Sequence, residues 1–158
     1  MKLIELSVLT PAQKEQIIAL WNQEYPAKIM LSGLADFDQY LSALQDLNHI
    51  VLIDRHQVIK GWLAYFSREG EQWFAILLDA SIQGQGWGTQ ILDLAKKRNL
   101  ELHGWVIPDD QELKQNGEIY RSPLGFYVRN KFSVFAGIQS IKNDTRSIKI
   151  SWYKNKTE

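Results

Sequence analysis

The chain has 158 residues, with 18 basic side chains, 18 acidic side chains and no cysteine. This length is typical of one domain, and a net charge of zero lacks the basic excess of dedicated nucleic-acid binders. The absence of cysteine excludes disulfides, thiolate zinc sites and a cysteine nucleophile, and the three histidines are isolated in sequence. We therefore expect a single domain over residues 1–158, without metal or nucleic acid.

The apolar runs of the sequence are short. One of the longest, from Trp73 to Leu78, is far below the roughly 20 residues that cross a bilayer. The first residues include Glu5 and form no signal-peptide core. These features predict a cytoplasmic protein without a membrane partner, and the polar residues from Lys154 to Glu158 are expected to fray.

The chain begins with a predicted strand from Leu3 to Leu9. Thr10 is typical of a helix N-cap, because Pro11 follows it and Gln13 stands at the spacing of a capping box. Asp36 with Gln39 repeats this spacing and predicts the start of a second helix. Its apolar stripe consists of Phe37, Tyr40, Leu41 and Leu44.

Three strands follow. The first two, from His49 to Asp54 and from Val58 to Phe66, are separated by a short polar turn and predict a hairpin. The third, from Gln72 to Asp79, is almost continuously apolar, which is typical of a central strand buried on both faces. A glycine-rich turn and a helix come next, so a strand, a turn and a helix adjoin one another.

The remaining sequence predicts a strand, a polar stretch, a short helix and two closing strands. The element order is β-α-α-β-β-β-α-β-α-β-β, which indicates an α/β or α+β mixed sheet with helices packed on it. The predicted ranges are Leu102 to Ile107, Pro108 to Arg121, Ser122 to about Asn130, Phe132 to Ile138 and Ser147 to Trp152.

The glycine-rich turn, Gln83-Gly-Gln-Gly-Trp-Gly88, predicts an anion site. Unpaired amides of a first helical turn point outward, the helix dipole favours negative charge, and glycine lets a ligand approach the backbone. The spacing excludes a dinucleotide fingerprint, because Thr89 stands where a third glycine is required. It also excludes a P-loop, because the turn has no lysine. A merely flexible turn remains the plain alternative.

The pattern Gln83-x-x-Gly86-x-Gly88 resembles the acetyl-CoA signature of the GNAT superfamily of N-acetyltransferases. The element order of that superfamily is similar to the predicted order over nearly the whole chain. The resemblance implies the acyl-CoA N-acyltransferase fold and acetyl-CoA as the acyl-donor co-substrate. It implies that the pyrophosphate lies on the turn. The implied cofactor-binding residues are Leu77, Leu78, Gln83, Gly84, Gln85, Gly86, Trp87, Gly88 and Thr89.

A second match lies near the C-terminus, where Tyr127-x-x-x-Lys131-Phe132 is similar to the family's Tyr-x-x-x-Gly-Phe. The resemblance implies that Tyr127 protonates the leaving thiolate, for which the ordinary pKa values of tyrosine and thiol are close. A buried core tyrosine is the alternative. Lys131 departs from the glycine, so either Asn130 or Lys131 must take the left-handed conformation. Tyr120 departs from a family asparagine.

The resemblance also implies how the acetyl group moves. The pantetheine arm would pair with the strand that precedes the turn, and the amide around Leu78 would stabilise the oxyanion. Asp79 would accept the proton of the amine through water or attract a cation, unless it only caps the following turn. Glu24 and Asp109 are weaker candidates for the base. The acceptor pocket would include Trp62, Tyr25, Met30, Trp105 and Tyr120.

The implied activity is direct transfer of acetyl from acetyl-CoA to a primary amine of a small molecule, an amino acid or a peptide or protein. Without cysteine, no acetyl-cysteine intermediate can form. The alternative is a non-catalytic acyl-CoA-binding sensor or interaction module of the same fold. Many members of the family are homodimers, so a homodimer is the corresponding expectation for this chain.

Overall fold

The computed structural model describes residues 1–155 and contains seven strands and four α-helices within that range. The element order agrees with the predicted order, so the mixed α/β class is confirmed. The elements are β1 Lys2–Leu6, α1 Pro11–Glu24, α2 Leu34–Ser42, β2 Gln45–Ile53, β3 Ile59–Arg68, β4 Glu71–Leu78, α3 Trp87–Arg98, β5 Glu101–Val106, α4 Leu124–Arg129, β6 Ser133–Lys142 and β7 Thr145–Tyr153. Two short 3-10 turns, Ala27–Ile29 and Ala80–Ile82, interrupt the loops.

The strands form one sheet in the order β1-β2-β3-β4-β5-β7-β6. Neighbouring strands are antiparallel except β4 and β5, which are parallel and register at Trp73 and His103. The predicted hairpin of β2 and β3 is confirmed. β4 is the fourth strand of seven, so its predicted central place is also confirmed. Its side chains from Ala75 to Leu78 are only partly covered, except Leu77, because they border a cleft.

Helices cover both faces of the sheet. Because side chains alternate along a strand, β2 sends Ile50 and Leu52 to one face and Val51 and Ile53 to the other. The first pair packs in a core with side chains of α3 and α4, and the second pair packs with α1 and α2. The sheet is therefore the middle of three layers.

The start of the first helix was predicted correctly from its local sequence. The Thr10 hydroxyl accepts the Gln13 N–H at 3.1 Å, and the Gln13 side chain accepts the Thr10 N–H at 2.8 Å. The predicted capping box is confirmed. The preceding strand is shorter than predicted, since it ends at Leu6, and Leu9 is buried against the α1–α2 core instead.

The predicted start of the second helix was wrong. The helix begins at Leu34 with Gly33 as its N-cap, so Asp36 lies inside the first turn. The Asp36 carboxylate accepts the N–H and the hydroxyl of Ser32 instead of capping the helix at its own position. Leu44, the last member of the predicted stripe, lies beyond the end of this helix at Ser42.

The end of the described chain stays attached to the sheet. Lys154 N–H donates to Leu100 O at 2.9 Å, and residues 156–158 of the predicted frayed segment lie outside the described residues. Within residues 1–155, no helix has the length and apolar character needed to cross a membrane.

Candidate functional site

A cleft of about 1220 Å³ opens beside the second half of β4. It extends from the N-terminus of α3 and from α4 to the end of α1 and to the β6–β7 hairpin. Lining residues from these regions include Gly86, Tyr127, Glu24 and Asn143. The cleft therefore joins the predicted anion site to the predicted acceptor pocket.

The cleft exists because β4 and β5 separate. The two strands register only at Trp73 and His103, near the start of β4, while β4 continues five residues further to Leu78. The β5 edge of these residues has no strand beside it within residues 1–155. An extended ligand arm can pair with such an open strand edge by main-chain hydrogen bonds.

The alternation of hydrogen bonds along β4 shows which amides face the gap. Asp79 N–H donates to Lys60 O at 2.9 Å, so Leu77, two residues earlier, also directs its main-chain groups to β3. Ile76 and Leu78 direct theirs to the open side. The Leu78 amide thus faces the gap, while Leu77 contributes a buried side chain. Ile76 was missed, although the two-residue period of a strand relates it to Leu78.

The glycine-rich turn contains two glycines whose backbone is left-handed. Gly84 has φ 77° and Gly86, the N-cap of α3, has φ 90°. A Cβ at either position would meet no heavy atom within 4 Å. The first bond of the helix runs from Gln90 N–H to Gly86 O at 3.2 Å, so the earlier amides lie outside the helical ladder. These open amides agree with a phosphate site.

Only some residues of the turn line the cleft. Those that line it are Gln83, Gly84, Gly86, Gly88 and Thr89. The Gln83 side chain donates to Leu78 O at 2.9 Å and joins the turn to β4. Gln85 reaches back to Ser81 O at 3.4 Å, and Trp87 packs against the α3–α4 core, so these two have structural roles.

Gly88 permits close packing of α3 against α4. A Cβ on Gly88 would lie 2.9 Å from Cζ of Phe126, which lines the cleft. No real Cβ contact is that short, so a larger residue at this position would displace Phe126. The requirement for glycine here is steric, whereas at Gly84 and Gly86 it is conformational.

Tyr127, the predicted acid, lies on α4 and lines the cleft with 6% of its surface exposed. Its ring packs on Phe74, Phe126 and Phe132. Burial, together with the nearby Tyr120, raises its pKa well above the ordinary value. The residue is therefore a buried core tyrosine that also borders the cleft, and its role as the acid stays a prediction. Its pKa does not stay close to that of a thiol.

Asp79, the first candidate for the base, caps the 3-10 turn after β4. Its carboxylate accepts the N–H of Ser81 at 2.9 Å and the hydroxyl at 2.7 Å, and Lys60 lies 3.8 Å away. Burial raises the pKa of Asp79. The hydrogen bonds of Ser81 and Gln23 and the charge of Lys60 outweigh burial and hold this pKa below its ordinary value. The capping interpretation fits this geometry, and a lowered pKa makes a weak base.

The other two candidate bases differ in position. Glu24 is the last residue of α1 rather than a loop residue, and it is buried beside the cleft. Its carboxylate accepts Ala80 N–H at 2.8 Å and the Lys114 ammonium at 3.0 Å. Asp109 accepts Gln111 N–H at 3.2 Å and lies 3.7 Å from Arg146. Glu24 is therefore the candidate base that borders the cleft.

The predicted acceptor residues are largely brought together. The four that line the cleft are Tyr25, Met30, Trp105 and Tyr120. Trp62 instead is fully buried in the α1–α2 core, where its indole N–H donates to Nδ1 of His49 at 3.0 Å. Tyr120, the departure from the family asparagine, faces the cleft with its pKa raised by burial and by Glu24.

Lys131 stands where the family motif has glycine, and its backbone takes the strained left-handed conformation. Lys131 has φ 71°, whereas Asn130 has φ −93°. The N–H groups of Phe132 and Lys131 donate to Tyr127 O and Val128 O, both at 3.1 Å, as in a Schellman motif. Lys131, not Asn130, takes the role of the expected glycine.

One cluster was missed by the sequence analysis. The side chains of Glu71, Glu101 and His103 bring potential ligand atoms within 4.8 Å of one another. His103 Nε2 lies 2.8 Å from Glu101, and Nδ1 lies 2.6 Å from the Ser151 hydroxyl. These residues come from adjacent strands, so their distance in sequence concealed the cluster. Its internal hydrogen bonds account for the buried histidine.

No family model and no curated protein matches the chain. Solved structures do match it. Aminoglycoside 6'-acetyltransferase type Ii is 13% identical, with 97% of each chain covered and a TM-score of 0.71. A Streptococcus mutans UA159 protein is 15% identical, with 97% and 99% covered and a TM-score of 0.69.

A GNAT superfamily phosphinothricin acetyltransferase from Sinorhizobium meliloti, solved in complex with AcCoA, is also similar. It is 12% identical, with 98% of this chain and 90% of that chain covered and a TM-score of 0.66. Identities this low support a shared backbone architecture and do not identify the acceptor. Together with the separation of β4 from β5 beside the glycine-rich turn, they show that this chain has the GNAT acetyltransferase fold.

Proposed function

We propose that this protein is an N-acetyltransferase that moves acetyl directly from acetyl-CoA to a primary amine. The observation that carries the proposal is the position of two features in one cleft. The open edge of β4 at Ile76 and Leu78 lies beside the free amides of the turn around Gly84 and Gly86. The first feature suits a pantetheine arm, and the second suits a pyrophosphate.

The residues of the cleft suit acetyl-CoA better than a nucleoside triphosphate. The turn provides backbone amides without a lysine, and the strand edge continues for several residues beyond it. Acetyl-CoA would supply an activated acetyl group. One amide of this edge, that of Ile76 or that of Leu78, would donate to its carbonyl oxygen and stabilise negative charge there as the amine nitrogen forms the new bond. The carbon–sulfur bond then breaks.

Tyr127 would hold the proton that the departing thiolate takes. Its raised pKa keeps the phenol protonated at neutral pH, although it also weakens the phenol as an acid. Glu24 is the buried carboxylate on the cleft wall, and the Lys114 ammonium 3.0 Å away balances its charge. The amine must lose a proton before attack, and solvent in the cleft would accept it.

The test is thiol release from acetyl-CoA with a panel of amines. We expect release that requires an amine and that equals the acetylated amine measured by mass spectrometry. Acetyl-CoA without amine, and amine without protein, are the controls. Binding of acetyl-CoA without thiol release for any amine would contradict catalysis. It would favour the alternative, a non-catalytic acyl-CoA-binding module of the same fold.

A further inference from the structure

An arginine and a tryptophan form one wall of the cleft on the α1–α2 face of the sheet. Phe66 of β3 registers with Trp73 of β4, and Arg68 lies two residues further on the same face. The guanidinium carbon of Arg68 lies 5.1 Å from the Phe66 ring centroid and 5.2 Å from the Trp73 ring centroid. All three residues line the cleft, so the rings hold a cation at its wall.

Trp73 presents a donor that the protein leaves unused. The residue is 6% exposed, and its indole Nε1 is buried with no hydrogen-bond partner among residues 1–155. Buried polar groups are nearly always satisfied, and an indole N–H can only donate. An acceptor atom from outside residues 1–155, of a water molecule or of a ligand, would satisfy this group.

The charge of Arg68 is also uncompensated. Within residues 1–155 the guanidinium forms no ion pair. The nearby Glu71 lies 3.6 Å from Lys149, whose ammonium is over the Trp73 ring. Asp36, which also lines the cleft, accepts two hydrogen bonds from Ser32. The wall thus offers a planar cation and an indole donor, both without a protein acceptor.

We infer that Arg68 and Trp73 bind a carboxylate of the acceptor, so the substrate is a long amine, such as an ω-amino acid, whose carboxylate is remote from its amine. This inference rests on the proposed acetyl transfer. A guanidinium matches the planar carboxylate with two parallel hydrogen bonds, and the indole adds a third donor. With a strand rise of about 3.3 Å per residue, Trp73 lies roughly 10 Å along β4 from Ile76. The carboxylate is therefore bound away from the reacting nitrogen.

The first experiment compares acceptor pairs that differ only in the carboxylate. The pairs are 6-aminohexanoate with 6-aminohexanamide and 8-aminooctanoate with 8-aminooctanamide, at equal concentrations of free amine. Their extended chains separate nitrogen and carboxylate by roughly 8–11 Å, as the position of Trp73 along β4 requires. We expect kcat/KM to be at least about tenfold higher for one of the carboxylates than for its amide. Arg68→Met should bring that ratio to about one by raising KM for the acceptor. Arg55→Met, in the exposed β2–β3 turn, is the matched control.

The second experiment does not require turnover. The indole N–H resonance of Trp73, assigned by its loss in Trp73→Phe, should move downfield on addition of the carboxylate probe and not of its amide. Absence of acetylation with any amine would refute the proposed function, while this resonance still reports carboxylate binding. An unmoved resonance, or acetylation of both members of each pair at equal rates, would overturn the inference.

Discussion

The Lys114 ammonium donates to the Glu24 carboxylate at 3.0 Å, and both side chains are largely buried at the edge of the cleft. The second oxygen of Glu24 accepts Ala80 N–H at 2.8 Å. One carboxylate therefore connects the end of α1, the turn after β4 and the loop between β5 and α4. This connection fixes the distance between the acceptor side of the cleft and the strand that would hold the thioester.

Breaking this buried pair should be costly. Glu24→Gln leaves the Lys114 ammonium without its counterion, and we expect it to lower the free energy of unfolding by about 3 kcal/mol. Lys114→Met should do the same to Glu24. The double variant should lose less than the sum of both, as measured by urea unfolding. Additive losses would show that the two charges do not interact.

Replacement of Tyr127 by Phe tests whether Tyr127 is the general acid. We expect kcat to fall roughly a hundredfold, the scale of general acid catalysis, while the dissociation constant of acetyl-CoA stays within about twofold. Steady-state kinetics and calorimetry measure the two quantities. Tyr153→Phe, at a residue that is 60% exposed, is the control. An unchanged kcat would remove Tyr127 from the mechanism.

The left-handed turn before α3 should be most stable with glycine. Gly86 has φ 90°, so Gly86→Ala should lower the free energy of unfolding by about 1–2 kcal/mol without any steric clash. Acetyl-CoA affinity should fall too, because the amides of the turn would be reoriented. Gly137→Ala, where a Cβ also meets nothing and φ is not positive, is the matched control. Equal effects of the two variants would contradict the conformational argument.

Lys131 offers the reverse test. Because it carries the left-handed conformation of a Schellman motif at φ 71°, Lys131→Gly should raise the free energy of unfolding by about 1 kcal/mol. Lys131→Ala keeps the Cβ and should bring no such gain. Thermal unfolding of the three proteins measures the difference. A destabilised glycine variant would show that the lysine side chain, rather than the backbone, decides stability here.

Because His49 is buried, we expect the free energy of unfolding to decrease in acid. Its Nδ1 accepts the Trp62 indole N–H, and burial, with the charge of Lys14, lowers the pKa of His49 from 6.5 to about 4. The unfolded state therefore binds a proton first as the pH falls. Stability should be constant above about pH 6.5 and decrease by about 2–3 kcal/mol as the pH falls to about 4.

The matched variant for this prediction is His49→Gln, whose side-chain carbonyl can still accept the indole N–H. Urea unfolding at a series of pH values should show a smaller loss for this variant over the same interval. Carboxylates contribute equally to both proteins, so the difference isolates the histidine. Parallel curves would exclude His49 as the source.

Interactions within a few residues could be predicted from sequence, and the others could not. The capping box of Thr10 and Gln13 and the glycine turn depend on local backbone geometry, and both are found. The same capping pattern at Asp36 failed, because an i, i+3 spacing also fits a position inside the first turn, where Ser32 is the partner.

The missed contacts depend on the sheet order and on the strand register. Glu24 and Lys114 are 90 residues apart, and the sheet order brings their loops together. Arg68 and Trp73 are only five residues apart and lie diagonally across the β3–β4 hairpin, and only the register shows that they share a face. The raised pKa of Tyr127 arises from the core around it, which no local pattern describes.

Thermal unfolding with acetyl-CoA tests the central claim most directly, because binding to the folded state must stabilise it. At a concentration one hundred times the dissociation constant, acetyl-CoA should add about 2.7 kcal/mol of stability, and the Gly86→Ala variant should gain less at the same concentration. ATP should have no comparable effect. No stabilisation by acetyl-CoA or by any longer acyl-CoA, or stabilisation by ATP alone, would contradict the proposal.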